Sequence, residues 1–135
     1  MNRIFLAFSL LILLLAGCNS NVPLRGKVVF SDDGSPVPIG TVMMSTGTYL
    51  ARADLKPDGT FVVGSLKETD GLPAGIYRVS IAGAKKIIGY KASGDEILES
   101  LIDEKFEDRD TSGITIDVTS STKFIEIPVD RYQKK

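Results

Sequence analysis

The sequence contains no histidine, no tryptophan and only one cysteine in 135 residues. Without histidine, the chain lacks the commonest general base, the serine–histidine pair of many hydrolases and nearly every zinc site that is not built from thiolates. A single thiol cannot close a disulfide within the chain, so a disulfide framework is excluded. The fold must therefore be stabilised by packing.

The charges are nearly balanced, with 16 basic and 17 acidic residues and a formal net charge of −1. A general nucleic-acid binder, or a protein held on anionic membranes by charge alone, needs a basic excess to displace counterions. The composition therefore argues against nucleic acid as a partner.

The cysteine follows an apolar run at the start of the chain. Arg3 precedes Ile4 to Leu15, twelve residues whose only clearly polar member is Ser9. A membrane-spanning helix needs roughly 20 apolar residues, whereas the apolar part of a secretory signal needs about 7 to 15. The sequence therefore predicts a signal peptide over residues 1–17, and not a membrane span.

The four residues Leu15-Ala16-Gly17-Cys18 resemble the lipobox of bacterial lipoproteins. The resemblance implies that the chain is cut between Gly17 and Cys18, that Cys18 carries the acyl chains, and that these anchor the protein to a membrane. Two or three acyl chains hold a protein where one binds only reversibly. An ordinary signal with a spare cysteine, or a buried N-terminal helix, is the alternative.

Removal of residues 1–17 leaves 135 − 17 = 118 residues with 15 basic and 17 acidic side chains, because Arg3 is the one charge removed. That length fits one domain. Residues 18–23 form the lipidated N-terminus and a short linker, which keeps the domain close to the membrane. By resemblance to enterobacterial lipoproteins, Asn19 favours the outer membrane of a bacterial cell envelope.

The remaining chain alternates apolar and polar residues with a period of two, which predicts strands with one buried face. Turn signals such as Asp33-Gly34, Asp58-Gly59 and Pro73-Ala74-Gly75 separate the strands. The apolar alternation runs through Val28 and Phe30, Tyr77 to Ile81, Ile114 to Val118 and Ile125 to Val129, with shorter candidates at Gly40 to Ser45, Tyr49 to Asp54 and Thr60 to Ser65. About seven short strands indicate an all-β, antiparallel Greek-key β-sandwich over residues 24–130, with a tail at 131–135.

The segment Leu72-Pro73-Ala74-Gly75-Ile76-Tyr77-Arg78-Val79 carries the most specific motif of the chain, in which Pro73 and Gly75 turn the chain and Tyr77 then enters the core. Further motifs lie at residues 25–30, 33–36, 39–42, 58–61 and 105–114. Together these segments resemble a carboxypeptidase regulatory-like, or transthyretin-like, domain. The resemblance implies the transthyretin fold. The hydrolase branch of that family uses histidine and a C-terminal tail that residues 131–135 lack.

Residues 93–110 depart from the strand pattern. They contain eight acidic and two basic residues, a net charge of 2 − 8 = −6. The apolar residues Ile97, Leu98, Leu101, Ile102 and Phe106 fall at i, i+4 spacings, and Ser93 with Glu96 matches a capping box. We expect one short amphipathic helix, or a loop with one helical turn, near residues 94–106, packed over an open end of the sandwich.

We expect no metal, no cofactor and no catalytic residue. A calcium site needs six to eight converging oxygens, and the acidic segment lacks the required spacing. Asp32, Asp33, Asp54 and Asp58 stand beside turns, where aspartates commonly cap the backbone. A pair of carboxylates about 5 to 9 Å apart could still hydrolyse glycosides, but 118 residues leave little room for a cleft.

Two non-catalytic functions follow. The first is a structural or protein-interaction module that binds another envelope protein; the second is a module that binds carbohydrate or another small ligand. A sugar platform would have to use Tyr49, Tyr90 and Tyr132, since we assign Phe30, Phe61, Tyr77 and Phe124 to the core. Exposed clustered tyrosines would favour sugar, while an apolar patch or bare strand edge would favour a protein. The segment Ala84 to Tyr90 is expected to continue a strand or cover the core, with contact to lipid or a partner as the alternative.

Overall fold

The computed structural model describes residues 21–64 and 71–135, and in these ranges the chain is all-β. Its nine strands are β1 (Leu24–Phe30), β2 (Thr41–Ser45), β3 (Leu50–Asp54), β4 (Thr60–Val63), β5 (Gly75–Ala82), β6 (Lys85–Tyr90), β7 (Glu96–Ser100), β8 (Ile114–Val118) and β9 (Phe124–Val129). A single turn of 3-10 helix spans Glu104–Glu107. Within the described residues, no helix has the length and apolarity needed to cross a bilayer.

Seven of the strands form two sheets, with strand orders β4-β1-β9 and β3-β2-β5-β8. Consecutive strands cross between the sheets at the β1–β2, β3–β4, β4–β5 and β8–β9 connections, so each sheet joins segments that are distant in sequence. One continuous apolar core includes side chains from both sheets, among them Val28, Phe61, Met44, Tyr77 and Ile127. The arrangement is β-sandwich-like.

Each of the seven strand segments predicted from the sequence coincides with a strand of these two sheets. The expected inward positions are confirmed in β5, where Tyr77, Val79 and Ile81 are buried. The prediction of about seven strands is nevertheless too low, because β6 and β7 form an additional two-stranded sheet.

A purely antiparallel arrangement is also a wrong prediction, because β1 and β9 pair in parallel. Apolar alternation identifies a buried face but carries no information about strand direction. Pro128 lies within β9, which has only β1 as a sheet neighbour among the described strands. A proline cannot donate a ladder hydrogen bond and is therefore tolerated at such an edge.

Glycine is required at position 26, which follows Arg25 at the start of β1. A Cβ placed there would lie 2.4 Å from the Phe61 ring and 2.7 Å from the Ile125 carbonyl oxygen. The aromatic ring of β4 therefore packs directly on the β1 backbone, which only glycine permits. This contact ties the Asp58-Gly59-Thr60-Phe61 segment to β1.

The Leu72-to-Val79 motif forms a turn followed by β5, as predicted. The buried Tyr77 hydroxyl donates a hydrogen bond of 2.7 Å to the Pro73 carbonyl oxygen, and the Tyr77 ring meets Tyr49 edge-on at 6.5 Å. Burial, followed by the nearby Tyr49, raises the pKa of Tyr77. The turn is thus held by a side chain from the strand that it introduces.

The predicted amphipathic helix is wrong over Glu96–Ser100, where the chain is the extended strand β7. β7 pairs antiparallel with β6, with Lys86 opposite Glu99 and Ile87 opposite Leu98. Ser93 donates its hydroxyl proton to Asp95 instead of forming a capping box with Glu96. The part of the expectation that survives is the single 3-10 turn at Glu104–Glu107, in which Phe106 is buried.

Phe124 is a second correction. We assigned it to the core, but its side chain is 57% exposed. It lies on the same side of β9 as Glu126, while Ile127 and Val129 face inward. The position of Phe124 in the inward–outward alternation of β9, and not the apolar character of its ring, therefore determines that it faces outward.

Candidate functional site

The β6–β7 hairpin, Lys85–Ser100, carries five of the nine large hydrophobic side chains that are exposed among the described residues. Its side chains Ile87, Ile88, Leu98 and Tyr90 are 48%, 55%, 51% and 65% exposed. A register shift at Ile88 marks a bulge, which adds an extra residue opposite β7. The segment Ala84 to Tyr90 is thus a strand, as expected, but its isoleucines do not cover the core.

The hairpin joins the domain at the end where β1 and β9 finish. The Leu101 amide donates to the Ala84 carbonyl oxygen at 2.8 Å, and the Tyr132 amide donates to the Leu101 carbonyl oxygen at 3.1 Å. Phe30 and Val129, the last residues of β1 and β9, lie opposite each other at this same end. The hairpin therefore starts at the end of β1 opposite to Leu24, where the described chain enters that strand.

Charge is divided between the two hairpin strands. The charged residues of β6 are Lys85 and Lys86, whereas those of β7 are Glu96 and Glu99. Lys86 pairs with Glu99 at 3.1 Å across the hairpin, and Lys85 pairs with Glu107 at 3.5 Å. Such exposed pairs add little stability, but they border the apolar side chains with charges of both signs.

An open cleft of about 330 Å³ lies at the foot of the hairpin. Ile88 and Leu98 line one part of it, and Lys85, Tyr132 and Lys134 line another. Tyr132 is half-buried there, whereas Tyr49 is half-buried against the core and Tyr90 is exposed on the hairpin. The three tyrosines considered for sugar binding therefore occupy three different settings.

A second exposed surface, the N-terminal rim, consists of Arg25, Leu50, Ile76, Lys123 and Phe124. Ile76 is 64% exposed at the start of β5, and Leu50 is 46% exposed at the start of β3. Arg25 lies opposite Phe124, and its amide donates to the Lys123 carbonyl oxygen at 3.2 Å. The rim thus places apolar and basic side chains beside the point where the chain enters the domain.

The first described residues are fixed to the domain by a short backbone bridge. Val22 and Leu72 exchange hydrogen bonds of 2.7 and 3.0 Å, and both side chains are buried. Gly71 makes this possible, because it has a φ of +66° and a Cβ there would lie 2.5 Å from the Val22 carbonyl oxygen. The chain is therefore held from Val22 onward.

A polar cluster, the C-terminal latch, connects the end of β9 to the turn after β1. Arg131 donates to Asp32 at 2.8 Å and to Asp33 at 3.0 Å, and its guanidinium lies 3.7 Å from the centre of the Phe30 ring. Ser35 donates its hydroxyl and its amide to Asp33, and these bonds with the charge of Arg131 lower the pKa of Asp33 to about 2.

Asp54 and Asp58, also noted in the sequence, accept hydrogen bonds from nearby threonines, and Asp130 forms an ion pair with Lys105. Asp58 accepts hydrogen bonds from the Thr60 hydroxyl and amide, which lower its pKa, and Asp54 accepts one from the Thr41 hydroxyl. The Lys105 ammonium at 2.8 Å, with the Ser31 hydroxyl, lowers the pKa of Asp130. The carboxylates of Asp58 and Asp130 are thus stabilised in their ionised form, whereas a general acid requires a raised pKa.

Asp54 and Asp58 lie at the two ends of the connection between β3 and β4. β3 and β4 belong to different sheets, so residues 55–59 connect the sheets instead of closing a hairpin within one sheet. Across residues 21–64 and 71–135, no group of three or more acidic or cysteine side chains is placed to hold a metal ion. Each fully buried side-chain nitrogen or oxygen in these ranges has a hydrogen-bond partner.

The predicted lipidation site Cys18 and the predicted cleavage site between Gly17 and Cys18 lie outside the described residues. Sequence reasoning missed the hairpin as a paired unit and missed the rim. The Ser93-Gly94 dipeptide is a turn signal that could have predicted the hairpin. It lies between two apolar segments, the first of which contains lysines and the second glutamates.

Comparison of this chain with protein-family models, with curated proteins and with solved structures gave no match.

Proposed function

We propose that this protein is a bacterial envelope lipoprotein, anchored through acylated Cys18, whose domain binds another envelope protein without catalysing a reaction. The observation that carries the proposal is the β6–β7 hairpin, which exposes Ile87, Ile88, Leu98 and Tyr90. Contiguous exposed apolar side chains bordered by charges are typical of protein-binding surfaces.

The hairpin is also physically unusual for a segment with no partner. A two-stranded hairpin is marginally stable in water, and here large side chains remain exposed on it. A partner that covers Ile87 and Leu98 would remove this apolar surface from water, at about 25 cal/mol per Å². We therefore assign the hairpin to a partner with an apolar surface flanked by charges of both signs.

The proposal includes a finer description of the fold and location. We propose a Greek-key sandwich of the transthyretin-like type, supported by the repeated crossing of consecutive strands between the two sheets. The Leu15-Ala16-Gly17-Cys18 motif and Asn19 support an outer-membrane lipoprotein. The absence of histidine and the lowered pKa values of Asp33 and Asp130 support a non-enzymatic role.

Photocrosslinking from the hairpin tests the proposal. A benzophenone amino acid at position 90 replaces an exposed aromatic residue, and irradiation of intact cells should produce a discrete adduct with one envelope polypeptide. Leu98→Ser should weaken that adduct at least about tenfold, because loss of one central apolar contact costs about 1.4 kcal/mol or more.

Ile39→Ser is the matched control, because Ile39 is 50% exposed but lies outside the hairpin. It should leave the adduct unchanged. An adduct that is equally strong in the Leu98→Ser protein, or no polypeptide adduct at all, would contradict the proposed function.

The cleft at the foot of the hairpin supports a second candidate, binding of a carbohydrate or another small ligand. Tyr132 offers an aromatic face there, and Lys85 and Lys134 offer hydrogen-bond donors. Under this alternative, purified protein binds a glycan on an array of envelope glycans, and Tyr132→Ala abolishes that binding. In the photocrosslinking experiment, Leu98→Ser then leaves the adduct pattern unchanged.

A further inference from the structure

The N-terminal rim suits the headgroup region of a lipid bilayer. Phe124 and Ile76 are 57% and 64% exposed, and they lie on outer faces of the two different sheets at the same end of the domain. Aromatic and aliphatic side chains with neighbouring basic residues are the composition that inserts at a membrane interface.

The short distance along the chain between Cys18 and Val22 indicates that a lipid bilayer is what the rim contacts. Val22 is fixed to Leu72, and only three residues lie between Cys18 and Val22. A fully extended chain spans at most about 14 Å between those two residues. An acylated Cys18 would therefore bring the bilayer within reach of Arg25, which follows Val22 by three residues.

The distribution of charge points the same way. Phe124 is flanked by two basic residues, Arg25 opposite it and Lys123 before it, while Glu126 is the acidic residue on the same face of β9. The segment 93–110, which includes β7 of the hairpin and ends at Asp110 paired with Arg78, has a net charge of −6. A negatively charged membrane surface attracts Arg25 and Lys123 and repels the acidic segment.

We propose that the N-terminal rim docks on the bilayer surface, with Phe124 and Ile76 in the interfacial region and Arg25 and Lys123 at anionic headgroups. The inference depends on the proposed lipid anchor. Docking would orient the domain with β1 roughly upright, so that the β6–β7 hairpin starts about 20 Å from the surface, given seven residues at about 3.3 Å each. The rim and the hairpin would then face different partners.

Because the chain has no tryptophan, a single introduced tryptophan reports on one position. We would purify the lipidated full chain as Phe124→Trp and as Tyr90→Trp, and place each in vesicles of phosphatidylethanolamine and phosphatidylglycerol that contain brominated lipids. The tryptophan at position 124 should show blue-shifted emission and several-fold quenching. The tryptophan at position 90 should keep the emission of a water-exposed residue.

Lys123→Glu in the Phe124→Trp background separates docking from mere proximity. It should reduce the quenching in vesicles with phosphatidylglycerol, because it reverses the charge beside the reporter. An equal signal with and without this substitution contradicts the charge contact, and an unquenched tryptophan at position 124 in vesicle-bound protein overturns the inference while leaving the anchor in place.

The two proposals fail differently. If neither protein sediments with the vesicles, the anchor is wrong and this inference falls with it. If both sediment and the tryptophan at position 90 is the quenched one, the hairpin lies on the lipid, and both the rim docking and the assignment of the hairpin to a protein partner are wrong.

Discussion

Tyr77 illustrates how one side chain defines a local structure in this domain. Its ring fills the core between the two sheets while its hydroxyl reaches back to the Pro73 carbonyl oxygen, so one residue contributes packing and closes the preceding turn. The hydrogen bond is part-buried, so its loss removes the ordinary net contribution of such a bond.

Tyr77→Phe should lower the free energy of unfolding by about 0.5 to 1.5 kcal/mol, because the substitution keeps the ring and removes the hydrogen bond to the Pro73 carbonyl oxygen. Urea unfolding followed by circular dichroism measures the change. Tyr90→Phe is the control, since Tyr90 is exposed and its loss of a hydroxyl should change stability by less than about 0.5 kcal/mol. Equal stability of both variants would show that the hydrogen bond does not hold the turn.

At the residue scale, much of the core could be predicted from sequence and the exceptions have clear reasons. The alternation through Tyr77, Val79 and Ile81 identifies a buried face, and all three are buried. Phe124 was assigned to the core because its ring is apolar. It lies on the same side of β9 as Glu126 and therefore faces outward. The close approach of Phe61 to Gly26 is a contact between two strands, and no local pattern reports it.

The C-terminal latch is the clearest electrostatic unit at the scale of elements. It joins β9 to the turn after β1 through Arg131, and the pKa of its Asp33 carboxyl group lies well below the usual value for aspartate. A lowered pKa in the folded state means that the latch stabilises the fold above the unfolded pKa of about 3.9. This contribution is lost as the pH falls through the folded pKa, about 2.

Ser35→Ala should raise the pKa of Asp33 toward 3.8, because the Ser35 hydroxyl is the largest cause of the lowering. Carboxyl carbon shifts, recorded by NMR between about pH 5 and pH 2, measure the titration. The acid unfolding midpoint should move to higher pH in the same variant. Ser31→Ala, which removes a hydrogen bond to Asp130, should leave the Asp33 titration in place, and an unchanged Asp33 pKa in Ser35→Ala would contradict this account.

The β6–β7 hairpin shows why some elements could not be predicted locally. The apolar residues at 97, 98, 101 and 102 satisfy a helical spacing, and that spacing alone favoured a helix. The strand forms instead because β6 provides paired partners, with Lys86 opposite Glu99 and Ile87 opposite Leu98. Such pairing depends on both segments together, as does the parallel pairing of β1 with β9.

At the scale of the whole molecule, the two exposed surfaces lie at opposite ends of β1. The N-terminal rim is apolar and slightly basic, while the hairpin adjoins the strongly acidic segment 93–110. This difference between the two ends fits the proposal that the domain is anchored near the rim and binds a partner through the hairpin. The charge count and the lipobox-like motif were readable from sequence, whereas the placement of the surfaces required the fold.

The short connection to the proposed anchor limits where a partner can act. Val22 is fixed to Leu72, so Cys18 stays within about 14 Å of the domain even if the intervening chain is fully extended. With that anchor, the hairpin could meet only partners that lie close to the membrane. A long periplasmic reach is excluded by this geometry if the anchor is present.

Mass spectrometry of the mature N-terminus, on protein extracted from the membrane fraction of the producing cells, tests the central claim most directly. The account predicts an N-terminal peptide that begins at Cys18 and carries the added mass of its acyl chains, together with loss of the protein from that fraction in Cys18→Ala. An N-terminal peptide that begins at Met1 with an unmodified thiol on Cys18 would contradict the account.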